Sequence, residues 1–227
     1  MVALSAACFR EHQFASSIEV HMKLIDTPNS VIGKVAKLKG LGVSGIIRYV
    51  SPNTASFPNK RVTASEIREC ARFGVWVGLV WEVAGTASEM SAAIGKVHAA
   101  EAVKVAQALK LPKAKAIGFA VDYDAPQSDL PAVLAYFKAV HNELSSAGYL
   151  VTVYGSGLVM DKVIGAGIAH YGWLSQSMGW SGSKAEAKEV ILQGQTTTVA
   201  GLDVDVDTLV GAAASDPNQA GLWLPTA

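Results

Sequence analysis

The fold is constrained most by a repeated order of strand and helix along residues 23–169. Short apolar runs rich in β-branched residues alternate with longer segments whose apolar residues recur every three to four positions. The apolar runs begin near residues 23, 43, 75, 117 and 149. Because these runs are apolar on both faces, they indicate parallel strands that are covered by helices. The pattern predicts five consecutive βα units.

Capping residues predict where several of these helices begin and end. Thr27-Pro28 supplies an N-cap and a first-turn proline, so the first helix is predicted to begin directly after the first strand. Thr63 and Glu66 form a capping box for the second helix, which should end at Gly74. A long third helix is predicted over residues 87–111.

The last part of the chain breaks this order. Strands are predicted at residues 171–176, 190–193 and 199–206, with at most a short helix at residues 184–188. Residues 194–198 alone separate the last two strands, whereas a parallel crossover needs about a dozen residues or more. These two strands should therefore form an antiparallel hairpin.

Together these elements predict an α/β fold, a TIM-like barrel of five βα units followed by three helix-poor strands. The alternative is an open doubly wound sheet, but Asp26-Thr27-Pro28 follows the first strand in place of a glycine-rich phosphate-binding turn. Residues 22–227 are assigned to a single barrel domain. Residues 1–21 are assigned to a leader or an added extension, because Arg-Glu-His at positions 10–12 interrupts the early apolar stretch.

Composition argues against several classes of partner. Nineteen basic residues balance nineteen acidic ones, and neither sign forms a long block, so nucleic-acid and membrane-surface binding lack an electrostatic basis. Cys8, Cys70 and the five scattered histidines show no metal-ligand spacing, and neither a metal nor a cofactor is expected. No run reaches the eighteen or so apolar residues of a membrane helix. The oligomeric state is left open.

Acidic residues mark the predicted strand ends. The strand that begins near residue 117 runs into Asp122 and Asp124 before Pro126 stops it, and alternation along a strand predicts that both carboxylates lie on one face. The active site of a TIM-like barrel lies at the C-terminal ends of the parallel strands. Those ends supply these candidates: Asp26, Arg48, Tyr49, Glu82, Asp122, Asp124, Tyr154, Ser156 and Gln176.

This set of acids is typical of a sugar site, because glycoside hydrolysis needs one carboxyl to protonate the leaving oxygen and another to stabilise or attack the anomeric centre. Aromatic candidates for stacking on sugar rings are Trp81, Tyr123, Tyr154, Trp173 and Trp180. Two alternatives remain open. Asp124-Ala125-Pro126 is also ordinary turn sequence, and Glu82, Asp122 and Asp124 are also a set that hard cations favour.

Several of these strand-end motifs together resemble a known family. They are LIDTP at residues 24–28, RYVSP at 48–52, GLVWE at 78–82, GFAVDYD at 118–124, VYG at 153–155 and GLDVDVD at 201–207. The set is similar to the glycoside hydrolase-like domain of unknown function found in secreted bacterial proteins and phage lysins. That group is in turn similar to the family-25 glycoside hydrolases, the lysozyme-like muramidases. The resemblance covers residues 22–227 and implies a barrel of five βα units followed by three strands.

The resemblance also implies roles for individual residues. Asp26 matches the acid that closes the first strand of the family, and Asp122 matches the first acid of its Asp-x-Glu signature. Asp124 stands where the family has its catalytic glutamate and is one methylene shorter. Displacement of an acid by about 1 Å lowers a rate on the order of a hundredfold. The departure implies a deeper substrate, transfer of the acid role to Glu82, or loss of activity.

The final strands carry further matches to the family. Gln193 and Asp205 resemble its Trp-Gln and Val-Asp-Leu-Asn elements, with Leu192 in place of the tryptophan. Alternation puts Asp203, Asp205 and Asp207 on one strand face, and Asp203 is nearest the mouth if that strand is antiparallel. The alternative is a solvated acidic strand edge.

We therefore expect a glycosidase of lysozyme or endolysin type that cleaves bacterial cell-wall polysaccharide, with peptidoglycan as the expected glycan. Asp122, Asp124, Glu82 and Asp26 are the expected catalytic residues, with either Asp124 or Glu82 as the general acid. The expected substrate-binding residues are Arg48, Tyr49, Tyr123, Tyr154, Gln176, Gln193, Asp203 and Asp205.

The alternative function is a glycan-binding barrel of the same ancestry without catalysis. A third hypothesis, a sugar-phosphate enzyme, requires a phosphate cradle near the last strands, for which residues 193–195 are the candidate. Since no signal peptide is visible, we expect the protein to be made in the cytoplasm and to act at the bacterial cell wall after release.

Overall fold

The strands follow the predicted order and close into a barrel. The computed structural model of the protein describes residues 22–183 and 189–226. Its strands and α-helices in chain order are β1 (Lys23–Asp26), α1 (Val35–Gly40), β2 (Val43–Tyr49), α2 (Ala64–Phe73), β3 (Trp76–Trp81), α3 (Ala92–Ala108), β4 (Ala116–Ala120), α4 (Leu130–Ser146), β5 (Leu150–Gly155), α5 (Gly157–Gly165), β6 (Tyr171–Leu174), β7 (Glu189–Val199) and β8 (Leu202–Leu209). Consecutive strands are hydrogen-bonded throughout, and β8 pairs with β1. The predicted barrel is confirmed, and the open sheet is wrong.

The last strand runs against its neighbours. Strands β1 to β7 are parallel, whereas β8 is antiparallel to both β7 and β1. The predicted hairpin is thus confirmed, but residues 194–198 belong to β7 and do not form its turn. The turn lies at Ala200 and Gly201, whose φ angles of 54° and 74° match the primed turns that suit twisted hairpins.

Side-chain alternation along the strands separates an inner layer from an outer one. The barrel interior contains the side chains of Leu24, Ile47, Tyr49, Val80, Ala120, Tyr154, Trp173, Ile191 and Leu209. The outer layer packs alternate strand residues, such as Ile25 and Ile46, against the helices. The C-terminal segment closes the bottom of the barrel, where Leu222 joins the inner cluster and Trp223 exchanges two backbone hydrogen bonds with Val77.

Besides the boundary between β7 and β8, three further predicted element boundaries are wrong. Helix α1 begins at Val35 and not directly after Thr27-Pro28. The helix predicted over residues 87–111 is a 3-10 turn at Ala87–Glu89 followed by α3, because Ser91 caps a new helix by accepting a hydrogen bond from the Ile94 N–H. Strand β4 ends at Ala120, so Asp122 and Asp124 lie in the loop after it and not on one strand face.

Two of the sequence predictions concern residues outside the described ranges, namely the leader at residues 1–21 and the short helix at residues 184–188. Within the described ranges, no helix is long and apolar enough to cross a membrane.

A buried ion pair shapes the loop between β1 and α1. Glu66, at the start of α2, completes the predicted capping box with Thr63. Its carboxylate also accepts hydrogen bonds from Arg48 Nε and the Val31 N–H, both at 3.0 Å. The Arg48 guanidinium in turn donates to the Thr27 carbonyl. These bonds hold residues 27–31 at the mouth of the barrel, and this is why no helix starts at Thr27.

Replacing Glu66 with Ala should lower the free energy of unfolding by about 3–5 kcal/mol, because it leaves the Arg48 charge buried without its partner. Denaturant unfolding monitored by tryptophan fluorescence measures this loss. The matched control is Glu101→Ala, which removes partly exposed ion pairs with Arg61 at 3.4 Å and Lys104 at 3.8 Å and should lower stability by less than about 1 kcal/mol. Equal losses in the two variants would contradict the role given to Glu66.

Candidate active site

A cavity of about 510 Å³ opens at the C-terminal ends of the parallel strands. Carboxyl groups enter it from β1, from the segments that follow β3 and β4, and from β8. The predicted residues that line it are Asp26, Tyr49, Glu82, Asp122, Tyr154, Gln176, Gln193, Asp203 and Asp205. Most of the sequence candidates are thus brought together at one mouth.

Asp26 is buried among hydrogen-bond donors. The Tyr49 hydroxyl donates to Asp26 Oδ1 at 3.2 Å, and Gln193 Nε2 donates to Oδ2 at 3.2 Å. Burial, together with the charge of Asp205 on the neighbouring strand, raises the pKa of Asp26 from 3.8 to about 7, although the two hydrogen bonds oppose the shift. Asp26 therefore exchanges its proton near neutral pH.

Glu82 faces Lys60, the one lysine among the described residues that line the cavity. Lys60 Nζ lies 3.3 Å from Glu82 Oε1 and 4.6 Å from the centre of the Tyr49 ring. Burial raises the pKa of Glu82, the Lys60 ammonium opposes the shift, and the Asp122 charge adds to it. The net result is a carboxyl group that holds a proton to a higher pH than an ordinary glutamate does.

Asp122 lies at the rim of the cavity, more exposed than Asp26. Its backbone N–H donates to the Gly85 carbonyl at 2.8 Å, which ties the loop after β4 to the loop after β3. Partial desolvation raises the pKa of Asp122, while the Tyr154 hydroxyl and Lys60 favour its ionised form. Asp122 and Glu82 thus differ in burial and in counter-charge.

Tyr154 and Gln193 connect the acids across the cavity. The Tyr154 hydroxyl lies 2.8 Å from Gln193 Oε1, 3.2 Å from Ser175 Oγ and 3.4 Å from Asp122 Oδ1. One phenolic proton serves one acceptor at a time, and the shortest of these contacts is to Gln193. Gln193 Nε2 then donates to Asp26 and, at 3.3 Å, to Asp205. The amide of Gln193 is therefore held in one orientation.

The acids of β8 lie on one face, as predicted, at increasing depth. Asp203 is exposed at the mouth and accepts a hydrogen bond from Thr198 Oγ1 at 3.0 Å. Asp205 lines the cavity and accepts from Thr196 Oγ1 and Gln193. Asp207 is fully buried below the cavity. The antiparallel direction of β8 thus brings Asp203 to the mouth.

Three predicted site residues do not line the cavity. Asp124 accepts a hydrogen bond from the Ser181 N–H at 2.8 Å, and the Tyr123 hydroxyl donates to Asp129 Oδ2 at 3.1 Å. Arg48 lies in the outer layer, because its neighbour Tyr49 points inward and side chains alternate along β2. Arg48 therefore supports the loops around the cavity and does not reach into it.

Other sequence candidates have structural roles. Ser156 caps α5 by accepting from the Val159 N–H, and Trp81 packs on His98 in the outer layer. The proposed phosphate cradle at residues 193–195 lies within β7 and is not a loop, so that hypothesis loses its site. Within residues 22–183 and 189–226, no group of three or more His, Cys, Asp or Glu side chains is arranged to hold a metal ion.

Sequence reasoning missed several lining residues: Asn29, Phe57, Lys60, Ser175 and Thr196. Asn29, Phe57 and Lys60 lie in loops, where no periodicity or motif marks them. Lys60 enters the cavity only because the loop after β2 folds over Tyr49. Thr196 was assigned to a turn, but it belongs to β7 and lies opposite Asp205.

Comparison with known proteins agrees with this architecture. A family model described as the Rv2525c-like, glycoside hydrolase-like domain matches residues 36–209. The chain belongs to this family. The resemblance predicted from the strand-end motifs is thereby confirmed. No curated protein sequence matches the chain.

Solved structures of low sequence identity share the fold of this Rv2525c-like domain. The Mycobacterium tuberculosis Tat-secreted protein Rv2525c, in complex with L-tartrate, is 21% identical, with a TM-score of 0.76 over 89% of this chain and 98% of that one. The autolysin LytC of Streptococcus pneumoniae, in complex with a synthetic peptidoglycan ligand, is 15% identical, with a TM-score of 0.58 over 84% of this chain and 47% of that one. A family GH25 lysozyme from Aspergillus fumigatus is 12% identical, with a TM-score of 0.54 over 88% of this chain and 99% of that one.

Asp122 is packed so closely against Gly85 that a methyl group there should displace it. Gly85 has a φ of +65°, and a Cβ on it would lie 2.7 Å from Asp122 Cβ. Gly33, with a φ of +71° and nothing within 4 Å of its would-be Cβ, is the matched control. Gly33→Ala should lose about 1 kcal/mol for backbone strain alone, and Gly85→Ala about 1–3 kcal/mol more. Urea unfolding measures both, and equal losses would contradict the close packing.

Asp26 predicts a pH dependence of stability. Because its pKa rises from 3.8 to about 7 on folding, the folded protein keeps a proton that the unfolded chain releases. Its contribution to stability is full below pH 3.8 and is lost as the pH rises through about 7. Asp26→Asn should remove this loss and raise the free energy of unfolding at high pH by an amount on the order of a few kcal/mol. Urea unfolding at a series of pH values measures the change.

A control of opposite sign is Asp216→Asn. Hydrogen bonds from Asn218 lower the pKa of Asp216, so its contribution is present at neutral pH and is lost as the pH falls. Asp216→Asn should therefore lower the free energy of unfolding at neutral pH and leave it unchanged at acidic pH. The same pH trend in both variants would contradict the assignment of Asp26.

Proposed function

We propose that this protein is a glycosidase of lysozyme or endolysin type that cleaves bacterial cell-wall polysaccharide, with peptidoglycan as its substrate. The observation that carries the proposal is that Glu82 and Asp122 line one cavity and that Glu82 is the more buried of the two. Glycoside hydrolysis uses two carboxyl groups at one site, and burial favours the protonated form that the general acid needs.

Glu82 is the proposed general acid. Burial favours its protonated form, so it carries a proton to donate to the leaving glycosidic oxygen. Lys60, at 3.3 Å, then stabilises the carboxylate that forms. In this scheme Glu82 has the role that the family assigns to the position of Asp124, whose carboxylate binds the Ser181 N–H.

Asp122 is the proposed ionised partner, which stabilises or attacks the anomeric centre. Asp122 is more exposed than Glu82, so burial disfavours its charge less, and the Lys60 charge favours its ionised form. Asp26 and Asp205 are held by Gln193 at the floor and wall of the cavity, where their carboxyl oxygens orient sugar hydroxyl groups. Aromatic surface from Phe57 at the same cavity adds apolar contact for a sugar ring.

The choice of a cell-wall glycan rests on the relatives. The Streptococcus autolysin was solved with a peptidoglycan ligand, and the Aspergillus relative is a lysozyme. The cavity itself argues against phosphorylated sugars, since several carboxylates and a single lysine among the described residues line it. We further propose that the protein acts at the bacterial cell wall after release from the cytoplasm.

A second candidate function is a glycan-binding barrel without catalysis. The observation that favours it is the position of Asp124, which replaces the catalytic glutamate of the family and accepts a backbone hydrogen bond away from the cavity. In that case the cavity acids would bind sugar hydroxyl groups and no bond would be cleaved.

Release of dye from labelled bacterial cell walls separates the two functions. Glu82→Gln and Asp122→Asn should each lower the rate about 10²–10⁴-fold, because each removes one of the two carboxyl groups that the reaction needs. Asp124→Asn should lower it far less. A loss for Asp124→Asn as large as that for Glu82→Gln would assign the acid role to Asp124.

Two further measurements complete the assay. Glu143→Gln, on α4 and outside the cavity, is the control for general effects of replacing a carboxylate. Sedimentation of the protein with unlabelled walls measures binding. Wall binding by both wild type and Asp122→Asn, with no dye release by either, would reject the enzyme and support the binding barrel.

A further inference from the structure

Asp207 is a fully buried carboxyl group that the proposed mechanism does not use. Its Oδ1 accepts a hydrogen bond from Trp173 Nε1 at 2.8 Å. Its Oδ2 has no hydrogen-bond partner among the residues that the structure describes. A buried carboxylate oxygen without a donor is costly, because nothing replaces the water that it has lost.

Asp207 lies next to Asp26 in the barrel interior. In the pairing of β1 with β8, Asp26 is opposite Asp205 and Leu24 is opposite Asp207. Alternation points all four side chains to the same side, so Asp207 is the diagonal neighbour of Asp26, one layer deeper. Neither Asp26 nor Asp207 has an ion-pair partner in the described part of the chain.

Among the residues that the structure describes, the groups that act on the pair add no positive charge. The titratable groups that act on it from the neighbouring elements are Tyr49 on β2, Glu82 after β3 and Asp205 on β8. Lys60 is already paired with Glu82. Two buried carboxyl groups without a cation do not both ionise, because burial and mutual repulsion each favour the neutral form.

The hydrogen bonds decide which of the two keeps the proton. Both oxygens of Asp26 accept hydrogen bonds, from Tyr49 and Gln193, and these favour its ionised form. Asp207 accepts through one oxygen only, and its free Oδ2 is available for a proton.

We propose that Asp207 is a positioning residue that stays protonated at neutral pH and uses this proton to hold the carboxylate of Asp26 at the floor of the cavity. Burial and the neighbouring Asp26 raise the pKa of Asp207 well above its ordinary value, in agreement with this assignment. The role given to Asp26 rests on the proposed function, but the protonation of Asp207 does not.

Infrared spectroscopy of protein labelled with ¹³C at the aspartate carboxyl tests the proposal without substrate. At about pH 8, above the pKa of Asp26, the wild type should still show the C=O stretch of one protonated aspartic acid. Asp207→Asn should lose this band, and the matched variant Asp26→Asn should keep it. Absence of the band from the wild type, or its loss in Asp26→Asn but not in Asp207→Asn, would overturn the proposal.

Unfolding gives a second readout. Each proton that the folded protein keeps and the unfolded chain releases raises the unfolding equilibrium constant about tenfold per pH unit. Between about pH 7.5 and 8.5, Asp207→Asn should reduce this slope by about one proton, since Asn keeps the shape of the side chain and an acceptor for Trp173. An unchanged slope would contradict the proposal.

The outcomes are distinguishable from failure of the proposed function. If Asp207→Asn does not fold, the labelled wild type and Asp26→Asn still decide whether and where the proton is held. A protein that shows the band but releases no dye from cell walls keeps the protonated Asp207 and rejects only the glycosidase.

Discussion

Closure of the barrel by an antiparallel last strand is the constraint on which the candidate site depends. Strand β8 pairs with β7 on one side and β1 on the other, so its side chains meet those of the first strand. Because it runs in the opposite direction, it begins at the mouth, and its three aspartates descend from the surface to the interior. A parallel last strand would reverse this order. Asp26 therefore acquires Asp205 and Asp207 as neighbours through topology, although they are far from it in sequence.

Because these acids lie close together, the charge of the site depends on pH. Among the described lining residues, Lys60 is the single lysine or arginine, and it is engaged by Glu82. Burial raises the pKa of Asp26, Glu82 and Asp207, and Lys60 opposes this shift at Glu82. The fold tolerates these groups because protonation removes their charge, and it loses stability as they ionise. The proton-donating chemistry proposed for Glu82 and the reduced stability at high pH thus have the same cause.

The parts of the structure that were predictable from sequence are those governed by periodicity. Strand and helix order, the final hairpin and the meeting of Asp26, Glu82 and Asp122 follow from apolar patterns and from the rule that strand ends converge.

Predictions that depended on side-chain direction at a boundary were weaker. Arg48 lies on the same strand as Tyr49, but side chains alternate along the strand, so Arg48 points outward and pairs with Glu66. Asp124 follows β4, but the strand ends at Ala120, so its alternation does not extend to residue 124. Lys60 reaches the cavity through a loop that no periodic signal describes.

The loops after β3 and β4 bring Glu82 and Asp122 to the same cavity. The Gly85 carbonyl accepts a hydrogen bond from the Asp122 N–H. The loops that carry Glu82 and Asp122 are therefore connected to each other. The left-handed conformation of Gly85 and the absence of a Cβ permit this close approach. Because Asp124 accepts a hydrogen bond from the Ser181 N–H, the mechanism proposed above takes its second carboxyl group from Glu82, across this contact. In that proposal, a two-residue spacing within one loop is replaced by a lateral spacing between the loops that follow two neighbouring strands.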